Sequence, residues 1–166
     1  MKTIIITGAS GSGKTYLSSK LANDLNNTIV IRTDSFYRDN LLIKLISLFI
    51  HDLYDRKISI KTKELIKTIN SIYHNQSQIN IYNYDFKFKK SKQLRINNQK
   101  TNNYLIIEGI FAHRLNLNYE KTINILCIED QETCYLRRVR RDMLERGQNS
   151  KEVNMKFTQS WNLFFK

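Results

Sequence analysis

Proline is absent from this 166-residue chain, and glycine occurs at five positions, three of them between residues 8 and 13. Helix ends must therefore be marked by residues other than proline. Cysteine is scarce as well. Cys127 and Cys134 do not form a metal-ligand spacing, and His51, His74 and His113 are scattered. Both cysteines read as thiols in a reducing compartment. No apolar run approaches the ~20 residues of a membrane span. One lysine and a short apolar run precede Gly8, which does not make a signal peptide, so the expectation is a cytoplasmic chain without a membrane partner. Acid is in deficit, with 15 Asp and Glu against 27 Lys and Arg, for a net charge of +12. Nucleic acid, a membrane surface or polyphosphate ligands would each suit that sign, and a lysine-rich surface accounts for most of it. Hydrophobic content of 41% and charged content of 25% are ordinary for a globular protein. The length predicts one domain over 1–166 with a real core.

The glycines that are present cluster in GASGSGKT, Gly8 to Thr15, directly after the β-branched run Thr3 to Thr7. This is the phosphate-loop pattern, in the context it requires: a buried strand before it and a helix after it. Backbone N–H groups of Gly8, Ala9, Ser10, Gly11, Ser12 and Gly13 would close around phosphate oxygens. The helix N-terminus adds positive dipole character at the same point. Lys14 would reach the β- and γ-phosphates, and Thr15 would bind Mg²⁺. ATP or GTP and Mg²⁺ are the expected cofactors.

Strand Lys2 to Thr7 and helix Lys14 to Asn26 come first, the helix carrying a stripe of Leu17, Leu21 and Leu25. Thr28 to Arg32 is a second buried strand, followed by Thr33-Asp34-Ser35-Phe36-Tyr37. Ligands bind at the carboxyl ends of strands in open α/β sheets. Asp34 can therefore act as a general base or hold Mg²⁺ through water, while capping a helix is an equal alternative. Asn40 to Leu53 predicts an amphipathic helix with Leu41, Leu42, Leu45, Ile46, Phe49 and Leu53 on its apolar face. Lys61 to His74 predicts another.

Ile79 to Phe88 changes to period two, with Tyr82, Tyr84, Phe86 and Phe88 on one face. With Leu94 to Ile96 returning, this predicts a hairpin at about 79–97. Its aromatics either pack on the core or form a stacking platform for a planar base. Tyr104 to Ile107 is a strand ending in Glu108, where a phosphate-loop protein holds its Mg²⁺ water. Glutamate there leans towards a small-molecule kinase. Thr122 to Ile128 is a further strand. Gln131 to Glu145 is a helix rich in arginine, with Arg137, Arg138, Arg140 and Arg141, and Arg146-Gly147 ends it. It serves either as a solvated basic face tempered by Glu132, Asp142 and Glu145, or as a lid at about 131–148 gripping phosphates. Ser150 to Phe165 is a last helix, with Val153, Phe157, Trp161 and Phe164 on one side.

Taken together, GASGSGKT, RTDSFYRD, YNYDF, LIIEGIFA and LRRVRRDMLERG resemble the uridine/cytidine kinase family in order and spacing, from Lys2 to about Gln148. The resemblance implies an α/β phosphate-loop kinase fold, a central parallel sheet flanked by helices, with a β-hairpin substrate clamp and a basic helical lid. It implies transfer of the γ-phosphate of ATP to the 5′-hydroxyl of uridine or cytidine, a pyrimidine-salvage reaction. By motif, Asp34 matches the catalytic base, Lys14 the phosphate lysine, and Thr15, Asp34 and Glu108 the Mg²⁺ shell. Tyr37, Asp55, Tyr84, Lys89, Arg138 and Arg141 fall in the substrate site. Tyr84 falls on the base-contacting tyrosine and Asp55 on the aspartate that binds the ribose hydroxyls. Arg141 also serves catalysis, and Arg146 meets the nucleotide. Lys89 stands where the family has a histidine, and Gln148 where it has a second arginine after Arg146-Gly147. A homo-oligomer is common in the family. Two other readings stay open. One is a related small-molecule kinase acting on another riboside, pantothenate or phosphoribulose. The other is a nucleotide-binding regulatory or nucleic-acid-associated protein, which the short chain and the partly lid-bound charge argue against.

Overall fold

The computed structural model describes all residues except 47, 48, 51, 52, 54–56, 99–101, 116, 118, 120 and 166. Strands β1 (Lys2–Gly8), β2 (Thr28–Arg32), β5 (Tyr104–Glu108) and β6 (Thr122–Cys127) form one sheet in the order β2-β5-β1-β6. All three pairings are parallel. Parallel neighbours need crossovers, and helices supply them on both faces.

Alternation along the central strands shows those two faces directly. Ile4, Ile6 and Ile106 point to one side, where Leu17 and Leu21 of helix α1 (Lys14–Asp24) and its C-cap residue Leu25 cover them. Ile5, Leu105 and Ile107 point to the other side. There they meet Leu65, Ile69 and Ile72 of helix α3 (Thr62–Tyr73) together with Ile79 of the hairpin. The strands are apolar on both faces because both faces are covered.

The hairpin pairs β3 (Gln78–Asp85) with β4 (Lys90–Asn97), antiparallel, from Gln78 opposite Asn97 to Asp85 opposite Lys90. The aromatic alternation does not continue as strand to Phe88. Asp85 Oδ1 accepts from the backbone N–H of Lys87 and of Phe88, both at 2.9 Å, and closes a turn. Lys89 completes the turn with φ 49°, and Phe88 is exposed. Of the four aromatics, Tyr82, Tyr84 and Phe86 pack on the core.

The helix expected over Asn40 to Leu53 is a correction. Among the described residues helix α2 covers Leu41–Ile46, capped by Asn40 Oδ1 accepting from Ile43 N at 3.1 Å; residues 47, 48, 51 and 52 of the expected helix lie outside the described residues. Its buried positions differ from the expected stripe: Ile43 is buried, while Leu42, Leu45 and Phe49 are exposed. Periodicity shows that a face is apolar, but not that another element lies opposite to cover it. Leu53 is buried as expected, with its N–H donating to Ile50 O at 3.2 Å.

Helix α4 (Gln131–Arg146) begins at Asp130, whose side chain accepts from Thr133 N at 2.8 Å, and ends at Gly147. Helix α5 (Ser150–Phe165) packs against it through Val153, Phe157 and Ser160. Cys127 and Cys134 are free thiols. Among the described residues no helix is long and apolar enough to cross a membrane.

Candidate active site

The phosphate loop leaves β1 and enters α1 through Gly13, which stands at the helix N-cap with φ 87°. Gly11, at φ +90°, lies against the first turn of α4, so a Cβ there would overlap the carbonyl oxygen of Cys134. Arg137 closes the same contact from the lid side, donating to Gly11 O at 3.4 Å and pairing with Glu129 at 3.0 Å. The lid helix is therefore seated directly on the loop.

Lys14 Nζ is buried and donates to Ala9 O at 2.7 Å, across its own loop. Burial pushes its pKa below the ordinary lysine value, and the Glu108 and Asp34 carboxylates push it back up. Glu108 ends β5 opposite Arg32 in register, and Arg32 Nε lies 3.1 Å from Glu108 Oε1. The other oxygen, Oε2, is buried without a hydrogen-bond partner among the described residues. Burial, and then the nearby Asp34, raise the Glu108 pKa above the usual carboxylate value. Arg32, Thr15 and Lys14 act in the opposite sense.

Asp34 sits in a single 3-10 turn, Thr33–Phe36, directly after β2. The next element over is Gly109, directly after β5. A Cβ at Gly109 would overlap Thr33 Oγ1 and lie 3.0 Å from Thr33 Cγ2, so the two strand ends approach as closely as glycine allows. Thr33 is itself buried. Gly109→Ala is expected to cost about 1–3 kcal/mol of stability in denaturant titration. It should also lower turnover, because the turn carrying Asp34 must shift.

One cavity unites these groups. It is lined by Ser10, Lys14, Thr15, Asp34, Tyr37 and Glu108 from the sheet side, and by Arg138, Arg141 and Arg146 from the lid. Phe86 of the hairpin and Phe111 complete its wall. Arg141 reaches across to the phosphate loop, with a guanidinium nitrogen 3.5 Å from Ser10 Oγ. Arg146 lies over the Phe86 ring, 3.7 Å from its centroid. Tyr37 contacts Tyr84 and Phe86 edge-on, at centroid distances of 5.3 and 6.0 Å.

Of the candidates expected in the substrate site, Tyr84 and Lys89 do not line this cavity. Tyr84 is buried behind Tyr37 and Phe86, and Lys89 lies in the hairpin turn. Asp55 lies outside the described residues. The sequence reading passed over Arg32 and Phe111. Arg32 acquires its meaning only through its register with Glu108, and one strand cannot show which residue its neighbour places alongside.

The donor set fits Mg²⁺. It offers hard oxygens from the Thr15 hydroxyl and the Glu108 carboxylate, whose buried Oε2 has no hydrogen-bond partner among the described residues, and Asp34 lies close by. Mg²⁺ with a bound polyphosphate needs only one or two carboxylates.

Comparison with known proteins agrees with this geometry. The family model for the Phosphoribulokinase / Uridine kinase family matches residues 3–164. The uridine kinase of Pectobacterium atrosepticum is 30% identical over 156 residues, covering 89% of this chain and 71% of that protein. The uridine kinase of Streptococcus equi subsp. zooepidemicus is 28% identical over 162 residues, covering 95% and 76%. The solved structure of phosphoribulokinase from Rhodobacter spheroides superposes with a TM-score of 0.60 at 16% identity, covering 98% of this chain and 64% of that one. With a phosphate loop, an acidic strand end and an arginine-rich lid facing one cavity, and a family match along nearly its whole length, the chain belongs to the phosphoribulokinase/uridine kinase family and is a phosphate-loop kinase.

Proposed function

We propose that this kinase transfers the γ-phosphate of ATP to the 5′-hydroxyl of a pyrimidine ribonucleoside, uridine or cytidine, in pyrimidine salvage in the cytoplasm. The observation that carries the reading is that Asp34 faces the same cavity as Lys14, Thr15 and Glu108. A carboxylate on the acceptor side of a phosphate loop is what in-line transfer to a hydroxyl requires. The relatives named uridine kinase support the acceptor class.

Thr15 and Glu108 would hold Mg²⁺, which when bound neutralises phosphate charge. The chain's own groups do the rest. Asp34 orients the acceptor hydroxyl and takes its proton on a carboxylate oxygen. Lys14 exchanges its bond to Ala9 O for phosphate oxygens. Arg141 and Arg146 approach from the lid, adding bidentate donors that stay charged. Closure of the lid excludes water, so that hydrolysis does not compete.

Turnover of Mg-ATP against uridine, cytidine and other acceptors tests the reading. The monophosphate of uridine or cytidine is the expected product. ATP bound with no product from any nucleoside would overturn the acceptor assignment. One observation favours a second acceptor class: Arg146 lies over the Phe86 ring and Tyr84 is buried, so neither of these two hairpin aromatics offers that face to a base. Phosphorylated pantothenate, phosphoribulose or another riboside would select that class.

The raised pKa of Glu108 has a measurable consequence. Its protonated form persists to a higher pH than an ordinary carboxyl, and only the carboxylate binds Mg²⁺. The affinity for Mg²⁺ in the presence of ADP is therefore expected to fall on acidification while surface carboxylates are still ionised. Calorimetric Mg²⁺ titration across pH measures this, and Glu108→Gln should weaken binding and flatten the profile.

A further inference from the structure

The three lid arginines that line the cavity converge on one carboxylate. Asp142, on α4, is 1% exposed and does not itself line the cavity. Its Oδ1 accepts from Arg141 Nε at 2.8 Å and lies 2.8 Å from a second Arg141 nitrogen. The same oxygen lies 3.3 Å from an Arg146 nitrogen. Its Oδ2 accepts from Arg138 Nε at 3.3 Å. Arg138 in turn donates to Ser160 Oγ of α5 at 2.6 Å.

The helix explains the convergence. Arg138, Asp142 and Arg146 are spaced four residues apart, so they stack along one face, and Arg141 adjoins it. The two carboxylate oxygens divide the work. Oδ2 is tied through Arg138 to the α4–α5 scaffold, while Oδ1 holds the two arginines that reach the phosphate loop and the hairpin. One carboxylate among three guanidiniums relieves their repulsion without cancelling it, so net positive charge still faces the cavity. Burial keeps the arrangement rigid, because an unpaired buried charge on either side is costly.

We propose that Asp142 is the positioning residue that aims Arg141 and Arg146 at the transferring phosphate. This rests on the phosphoryl-transfer reading above. Asp142 touches neither nucleotide nor acceptor, and it acts through the arginines it holds.

A double-mutant cycle tests it. Asp142→Asn is expected to lower kcat about ten- to hundredfold, the scale on which a misplaced catalytic group acts. In an Arg141→Ala background the same change should lower kcat by less than about twofold, because the group it aims is gone. Equal effects in the two backgrounds, or undiminished turnover in folded Asp142→Asn, would overturn the proposal. If Asp142→Asn does not fold, Asp142→Glu, which keeps the charge and displaces the carboxylate by one methylene, takes its place in the cycle with the same outcomes. Wild-type protein that binds ATP and phosphorylates no acceptor would overturn the acceptor reading instead. The cycle is then read in the Kd for ATP, where coupling supports the role of Asp142 and additivity overturns it.

Discussion

Asp34→Asn is expected to lower turnover by about 10²–10⁴-fold, the range of a positioned general base, while ATP binding persists. The change is nearly isosteric and removes the site for the acceptor proton. The turn that holds the residue does not depend on the carboxylate. Thr33 and Phe36 on either side are buried, and Tyr37 N donates to the backbone oxygen of Asp34 at 3.4 Å. Circular dichroism and thermal melting should therefore match the wild type. Single-turnover kinetics with pre-bound ATP separate the chemical step from binding. Undiminished turnover in the Asn variant would remove Asp34 from the role of base and leave it as a structural turn residue.

Lys14→Met carries the second large effect. Methionine fills much of the same volume, and the hydrogen bond to Ala9 O is lost. The main loss is the buried cation beside two carboxylates, Glu108 and Asp34. Transfer is expected to fall about 10²–10³-fold, as when one preorganised donor is removed from a developing negative charge. ATP should bind more weakly, in contrast to Asp34→Asn. A second signature follows from electrostatics. Lys14 helps to hold the Glu108 pKa down, so its removal should move Glu108 further up. The pH at which Mg²⁺ binding fails should then rise in the variant, measured by the same calorimetric titration. A variant with unchanged ATP affinity and rate would mean that Lys14 only ties the loop to itself.

Much of the candidate site is legible in the sequence. Gly8 to Thr15, Asp34, Glu108 and the Arg138–Arg146 run each sit at the end of a strand or in a marked helix. In a parallel α/β sheet those strand ends converge on one edge. Helices α3 and α5 were readable for a related reason, since each has a clear period and buries apolar residues along one side. What stayed hidden depended on partners distant in sequence. The apolar positions of residues 40–53 are helical in pattern, yet among the described residues Leu42, Leu45 and Phe49 are exposed. The aromatic hairpin left core and ligand platform both open. Tertiary packing buries Tyr84 against Tyr37 and brings Phe86 to the cavity wall beneath Arg146.

Local sequence determined the chemistry available to this protein, because phosphate loops, caps and strand ends are written in contiguous residues. Only the tertiary structure decided how that chemistry is aimed. The pairing of Arg32 with Glu108, the close passage of Gly109 by Thr33, and the reach of Arg141 to Ser10 and of Arg146 to Phe86 all join elements through sheet register or helix packing. Register and packing are settled by the whole core at once, which no single stretch of sequence specifies.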